Sequence, residues 1–532
     1  MRVFGLVVVV ALVVTVIVGT LLGRRYSVAP PVLLIVFGAL LGLIPAFGEI
    51  RLNGEIVLLL FLPAILYWES LNVSFREIRA NLRIIVMFSV GLVIVTAATV
   101  SLTAQALGVD SKAAWVLGAV LAPTDAAAVA GLAKRLPRRI LTVLRAESII
   151  NDGTALVLFS VAVSVATGGV VLGVPALAGR FVGSYVGGIA AGLLVGVAVT
   201  LLRRRLDARQ EEGALSVLTP FAAFLLAQSF NSSGVVAVLV AGLMLARTGP
   251  RVIRARSRVQ AFAFWDLATF LINGSLFVFV GVQIPGAVRG ISHVDGGLGR
   301  GAVVALAVTG VVVATRIAWA ETYTVLIRAV DRRAVQRARR VGWRQRTVTS
   351  WAGFRGAVSL AAALAVPATT RTGAGFPDRD LIVFVTTVVI VLTVLVQGST
   401  LPVVVRWARL PEDTARAEEL RLARRRSAEV ALNALPTVAA ELGMDEELLN
   451  RLQKEYEDHA AVAEASGDGA GNTDAADKHD LVRRARLGVL EHKRQAVIEL
   501  RDQNRIDDIV LHELQSAMDI EELQLLGAGD TD

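Results

Sequence analysis

The chain has 532 residues, 55% of them hydrophobic and only 19% charged, and no cysteine. The missing cysteines exclude a disulfide framework, a thiolate metal site and a Cys nucleophile. Charge is divided unevenly: residues 1–410 carry 39 Lys+Arg against 17 Asp+Glu and the remainder 15 against 28, net charges of +22 and −13. Such a split implies two bodies in different solvents.

A helix of about 20 apolar residues crosses the hydrocarbon core of a bilayer. Stretches of that kind fall at 4–22, 29–47, 54–71, 82–107, 113–133, 139–166, 176–202, 214–229, 233–247, 261–283, 299–328, 347–367 and 380–405, thirteen in all. The first is too long for the apolar run of a signal peptide, and no small-residue cleavage pattern follows it. Between the spans, every second loop is cationic: Arg24 and Arg25; Arg76, Arg79 and Arg83; Lys134, Arg135, Arg138 and Arg139; Arg203, Arg204, Arg205 and Arg209; Arg247 to Arg258; Arg328 to Arg346. The intervening loops hold only scattered cations such as Arg51, Lys112, Arg289 and Arg371. Positive charge collects on the cytoplasmic side, so the N-terminus is expected outside and the tail inside. Cations gathered in short clusters between apolar runs also exclude a nucleic-acid binder.

Past Pro411 the pattern becomes amphipathic, with helical spacing at 412–432, 436–460, 474–503 and 505–526 and a flexible linker from Ser466 to Asn472. The expected division is a transmembrane domain over 1–408 and a helical cytoplasmic tail over 409–532, with a regulatory role for the tail left open.

Carboxylates at membrane depth cost about 2.5–3.5 kcal/mol each on insertion scales and are functional candidates by default. Glu69, Asp266 and Glu321 lie near span ends and read as structural. Two clusters lie deeper. In Glu147-Ser148-Ile149-Ile150-Asn151-Asp152, the pairs Ser148/Asp152 and Glu147/Asn151 are each one helical turn apart and form a single polar stripe. Ser148, Asn151 and Asp152 supply hard oxygen ligands that suit a small hard cation. No histidine competes, because His293 is in an external loop and the other four are in the tail. A hydrogen-bonded seam between helices is the plain alternative, but a seam is normally built from Ser, Thr or Asn and not from two carboxylates.

The second cluster is Ala122-Pro123-Thr124-Asp125-Ala126, where Pro123 breaks the helix and Thr124 can present carbonyl or hydroxyl oxygen to an ion. Span twelve is also interrupted, at Gly353-Phe354-Arg355-Gly356. The fifth and twelfth spans correspond if spans 1–6 and 8–13 are two halves, and paired interrupted helices point to a transport site. The odd linking span makes the repeats inverted. Arg316 and Arg355 lie at the same depth and need anions. The expected assignment is Glu147 with Arg316, and Arg355 near the half-helix ends together with Asp125. Asp152 is then left without a fixed cation. It can hold a proton or a metal cation, one at a time, and that competition couples the two fluxes.

At these residues the sequence resembles the sodium/proton exchanger family, in the electroneutral branch of the monovalent cation:proton antiporters. The motifs are Pro123-Thr124-Asp125, Glu147-Ser148 with Asn151-Asp152, Ala314-Thr315-Arg316 and Gly353-Phe354-Arg355-Gly356-Ala357, in family order. The resemblance implies an all-α membrane protein with about 13 transmembrane helices in two inverted six-helix repeats, two broken crossing helices and a helical tail. It implies that Asp152 is the cation- and proton-binding carboxylate, with Ser148, Thr124 and Glu147, directly or through water, completing the coordination. Asn151 beside Asp152 marks the electroneutral branch. One departure is Ala126, where many relatives have proline. The resemblance further implies a homodimer in the cell membrane that exchanges Na+ or Li+ for H+ and needs no cofactor. A K+/H+ antiporter of the same fold is the near alternative. A passive cation channel or a proton-sensing membrane protein is the alternative of another class, although no filter repeat or pore-lining ring is present. Neither an HExxH nor a GxSxG motif suggests an enzyme.

Overall fold

Each of the thirteen apolar stretches meets helix in the computed structural model. It describes residues 2–525 apart from 27, 49–53, 55–56, 74–84, 126–135, 137, 169–172, 207–208, 293–296, 331–341, 372, 411–413, 466–472, 504–513, 516–517 and 523. In chain order the helices are α1 (Arg2–Tyr26), α2 (Pro30–Gly42), α3 (Leu62–Leu71), α4 (Leu92–Ala106), α5 (Ser111–Leu121), α6 (Arg138–Ala166), α7 (Val174–Arg203), α8 (Arg209–Ser229), α9 (Gly234–Val252), α10 (Ala255–Ile291) and α11 (Gly297–Val330). The twelfth span is two pieces, α12 (Trp343–Trp351) and α13 (Ala357–Leu364), and the last is α14 (Arg379–Leu392) continued by α15 (Gly398–Ala408). Among the described residues eight helical runs are long and apolar enough to cross a bilayer, and Pro30–Gly42, Val57–Leu71 and Ser111–Leu121 are shorter apolar helices. The chain is an all-helical, multi-pass membrane protein. Contacts divide it into two units, Met1–Pro411 and Glu412–Asp532. The loop cations Arg76, Arg79, Arg83, Lys134 and Arg135, as well as Ala126, His293 and the linker from Ser466 to Asn472, lie outside the described residues.

Within the membrane unit, backbones touch where side chains are smallest. A Cβ on Gly38 of α2 would overlap the Val278 carbonyl of α10, and one on Gly281 would overlap the Ile35 carbonyl. Lipid gives apolar helices no hydrophobic reason to associate, so close packing of small residues carries the contact. Apolar side chains such as Leu6, Val9 and Val10 on α1 and Val182 and Val186 on α7 stay exposed, as suits surfaces whose solvent is hydrocarbon.

Three short stretches, Val57–Phe61, Met87–Gly91 and Thr393–Gln397, are wound as wider π turns. The first runs into Pro63, which has no N–H to continue the α ladder. The second faces α6 and the third faces the break in the twelfth span. Ser89 Oγ donates to the Glu147 carbonyl at 3.2 Å, and Thr393 Oγ1 accepts the Arg355 N–H at 3.3 Å. Wide turns of this sort concentrate at functional sites.

The tail unit contains α16 (Thr414–Leu442), α17 (Glu446–Ala465) and α18 (Thr473–Asp502). The sequence pattern places a helix boundary before Pro436, but α16 runs through that proline to Leu442. Its end is set by Gly443, whose φ of +65° is left-handed. Gly443 N–H donates to Ala440 O and Met444 N–H to Ala439 O, the paired bonds of a Schellman C-terminus. The expected helix at 505–526 falls mostly outside the described residues.

Candidate cation site

Helix α5 starts on a firm cap, the Asp110 carboxylate accepting from Lys112 N–H at 2.9 Å and Ala113 N–H at 3.2 Å. It ends after eleven residues at Leu121, and Pro123, Thr124 and Asp125 are non-helical. In the twelfth span, residues 352–356 separate α12 from α13. The two breaks meet: the Asp125 N–H donates to the Phe354 carbonyl at 2.9 Å.

Helix ends that stop inside a membrane leave carbonyls and N–H groups without partners, and charge answers them here. Arg355, 1% exposed, donates from Nε to Leu121 O at 2.8 Å and from Nη1 to Gly353 O at 2.7 Å. One guanidinium thus serves the negative ends of both α5 and α12. The Asp125 carboxylate stands against Gly356, the N-cap of α13, where a Cβ would overlap it. That is the positive end of a half-helix.

The second buried cation has a different task. Arg316 of α11 grips both oxygens of Glu147, at 2.5 Å and 3.2 Å, with the two side chains 2% and 1% exposed. It also donates to Ser350 O at 3.1 Å and Thr349 O at 3.2 Å in the last turn of α12. A Cβ on Gly353 would run into the Arg316 side chain, so a glycine is required beside this pair.

One helical face of α6 then meets the first break. Ser148 Oγ donates to Thr124 O at 2.8 Å, Asn151 Nδ2 donates to Thr124 Oγ1 at 2.6 Å, and Thr124 Oγ1 donates to Glu147 Oε1 at 3.4 Å. The Asn151 Oδ1 is buried without a partner among the described residues. Asp152, 6% exposed, borders a cavity of about 30 Å³ together with Thr124, Asp125, Ser148 and Glu69. Among the described residues its carboxylate has no hydrogen-bond or ion-pair partner. The eight residues named from the sequence therefore lie around one crossing. Glu147 and Asp152 differ sharply there, because the oxygens of Glu147 are occupied by Arg316.

Glu69 was assigned a structural place near a span end, and its position corrects that assignment. It is half-buried and lines the cavity with Leu62, Ile65 and Leu66. Those four positions share one face of a helix by their spacing, a signal present in the sequence. Asn273 of α10 borders the same cavity and was missed altogether. Glu321, by contrast, makes an exposed ion pair with Arg346 at 2.9 Å. Among the described residues no three His, Cys, Asp or Glu side chains are placed to hold a metal ion together. What converges on the cavity is the Asp152 carboxylate with the carboxylates of Glu69 and Asp125 and the neutral oxygens of Thr124 and Ser148, a set suited to a dehydrated hard cation.

A family model described as the transmembrane sodium/hydrogen exchanger matches residues 10–407. An uncharacterized Na+/H+ exchanger of Mycobacterium tuberculosis is 70% identical over 530 residues, covering 100% of this chain and 98% of the relative. The Na+/H+ antiporter of Aphanothece halophytica is 29% identical over 411 residues, 75% of this chain and 74% of that one. Among solved structures, the sodium proton antiporter of Methanocaldococcus jannaschii at pH 8 superposes with a TM-score of 0.58 at 19% identity, covering 75% of this chain and 98% of that one.

Proposed function

The chain belongs to the sodium/hydrogen exchanger family, and from that premise we propose that it exchanges Na+ or Li+ for H+ at Asp152, one for one. The observation carrying this reading is the contrast on α6: Glu147 is held by Arg316, whereas Asp152 faces the cavity unpaired. A carboxylate in that position must be neutralised, since an isolated buried charge is costly. A proton or a monovalent cation can do so, but not both together. The cation is cargo, and its ligands are Asp152, Ser148 Oγ and Thr124 oxygen. Glu147 acts at one remove, through Thr124 Oγ1. Asn151 holds that hydroxyl and keeps its own carbonyl oxygen beside the site. Arg355 and Asp125 fix the crossing and take no part in binding. The site is exposed to each face in turn as the crossing moves against the remaining helices. The working protein is a homodimer in the cell membrane, N-terminus outside and tail cytoplasmic.

Moving one elementary charge across the membrane is worth about 2.3 kcal/mol per 100 mV. One-for-one exchange moves none, so transport follows the chemical gradients and ignores voltage. Purified protein in sealed, acid-loaded proteoliposomes tests this. Adding Na+ or Li+ outside alkalinises the lumen, at a rate unchanged when the membrane potential is clamped. A current that tracks turnover would refute the stoichiometry, and a lumen that stays acid would refute exchange itself.

A further inference from the structure

A second cavity, of about 100 Å³, lies among α3, α7, α8, α9 and α10, away from Asp152, and is bordered by Tyr67, Arg203, Glu212, Ser216, Arg258 and Trp265. Arg203 and Glu212 are 5% and 4% exposed. Both carboxylate oxygens of Glu212, and Arg203 Nε, have no hydrogen-bond partner among the described residues. The surrounding polar groups are otherwise engaged. Trp265 Nε1 donates to Ser216 Oγ at 3.1 Å, the Tyr67 ring meets Trp265 edge-on at 5.3 Å, and the Tyr67 hydroxyl faces Ser216, Thr219 and Arg203.

A buried carboxylate with neither oxygen satisfied carries a desolvation cost that a ligand can remove. Arg203 and Arg258 repel a bare cation, and Glu212 repels a bare anion. A molecule bearing both charges satisfies both walls, with its ammonium on the carboxylate beside aromatic rings and its phosphate on the guanidinium groups. The cavity is at the ends of α7 and α10 where arginines cluster, and within one turn of Arg258 on α10 the apolar Val259 and Phe262 are exposed. That surface is suited to acyl chains. We propose that this cavity binds the headgroup of a zwitterionic phospholipid whose phosphate and primary ammonium are two carbons apart. Glu212 takes the ammonium, and Arg203 and Arg258 take the phosphate.

Native mass spectrometry of the full-length protein with phosphatidylethanolamine, phosphatidylcholine and phosphatidylglycerol tests it. Phosphatidylethanolamine should be retained severalfold over the other two. Glu212→Gln should abolish that preference, and Arg258→Gln, at the half-buried rim, should lower retention of phosphatidylethanolamine and phosphatidylglycerol alike. Equal retention of the three lipids by the unmodified chain, an unchanged preference in Glu212→Gln, or undiminished retention in Arg258→Gln would overturn the proposal. Free phosphoethanolamine as competitor separates the sources: no displacement assigns the site to lipid, and displacement assigns it to the soluble compound.

Discussion

Glu147 and Asp152 are five residues apart on α6, both are buried, and their surroundings could hardly differ more. Around Glu147 the protein has placed Arg316 on both oxygens and tied the same guanidinium to the end of α12. Around Asp152 it has placed neutral oxygens, two further carboxylates and a small cavity. A buried charge with a permanent partner is architecture, because breaking the pair strands the survivor. A buried charge without one is free to bind. Two carboxylates on one helix are thus divided into a paired and an unpaired group by what comes from other helices.

The contrast can be broken at either end. Asp152→Asn removes the unpaired carboxylate charge of that helix and should abolish cation-dependent proton movement in proteoliposomes, while Asp152→Glu should retain part of it. Wild-type rates in Asp152→Asn would end the distinction. Arg316→Gln leaves Glu147 buried and alone, a loss of about 3–5 kcal/mol readable as a lower Tm in detergent. The double variant Glu147→Gln with Arg316→Gln should recover much of it. Equal melting of single and double variants would contradict the scaffold role. Gly356→Ala pushes a methyl into the Asp125 carboxylate and should cost about 1–3 kcal/mol, as overpacking does, with slower transport although Asp152 is intact.

The smallest effect is expected in the tail, where charges pair in water. Hydrogen bonds from Arg426, then Arg425, hold Glu429 below its ordinary carboxylate value of 4.5. Its folded value is the lower one, so its contribution is complete above that ordinary value and is lost as pH falls through the folded one. Exposure and salt keep the contribution small. Hydrogen exchange over residues 414–442 should be slightly faster in Glu429→Gln at neutral pH, and the two proteins should converge in acid. A difference that persisted in acid would assign the effect to something other than the carboxylate's charge.

Much of this was readable in advance, for reasons that can be named. Span lengths report the thickness of hydrocarbon, so thirteen helical positions followed from apolar runs alone. Pro123 and the glycines flanking Phe354 and Arg355 marked the two breaks, because local backbone chemistry decides where a helix can continue. The tail shows the limit of that logic, since Pro436 is passed over and Gly443 ends the helix instead. Glu69 shows another: its nearness to a span end suggested a structural place, yet it borders the cavity beside Asp152. The unsatisfied Glu212 carboxylate and Arg203 Nε raised no signal at all, since each residue sits beside other charges in the sequence.

The amino-acid sequence by itself determined that this chain lives in a bilayer, where its helices are interrupted, and which few polar groups must be reconciled with lipid. Those properties depend on neighbours within a turn or on the run length of apolar residues. The pairing of Glu147 with Arg316 and an open Asp152 were already expected from charge balance. Only the tertiary structure decided that Arg316 would grip both Glu147 oxygens, that one arginine would serve two half-helix ends, and that a cavity would lie beside Asp152. Each of those outcomes depends on distances between atoms far apart along the chain (169 residues separate Arg316 from Glu147), and electrostatic pairing at low dielectric is settled by such distances and not by spacing along the backbone.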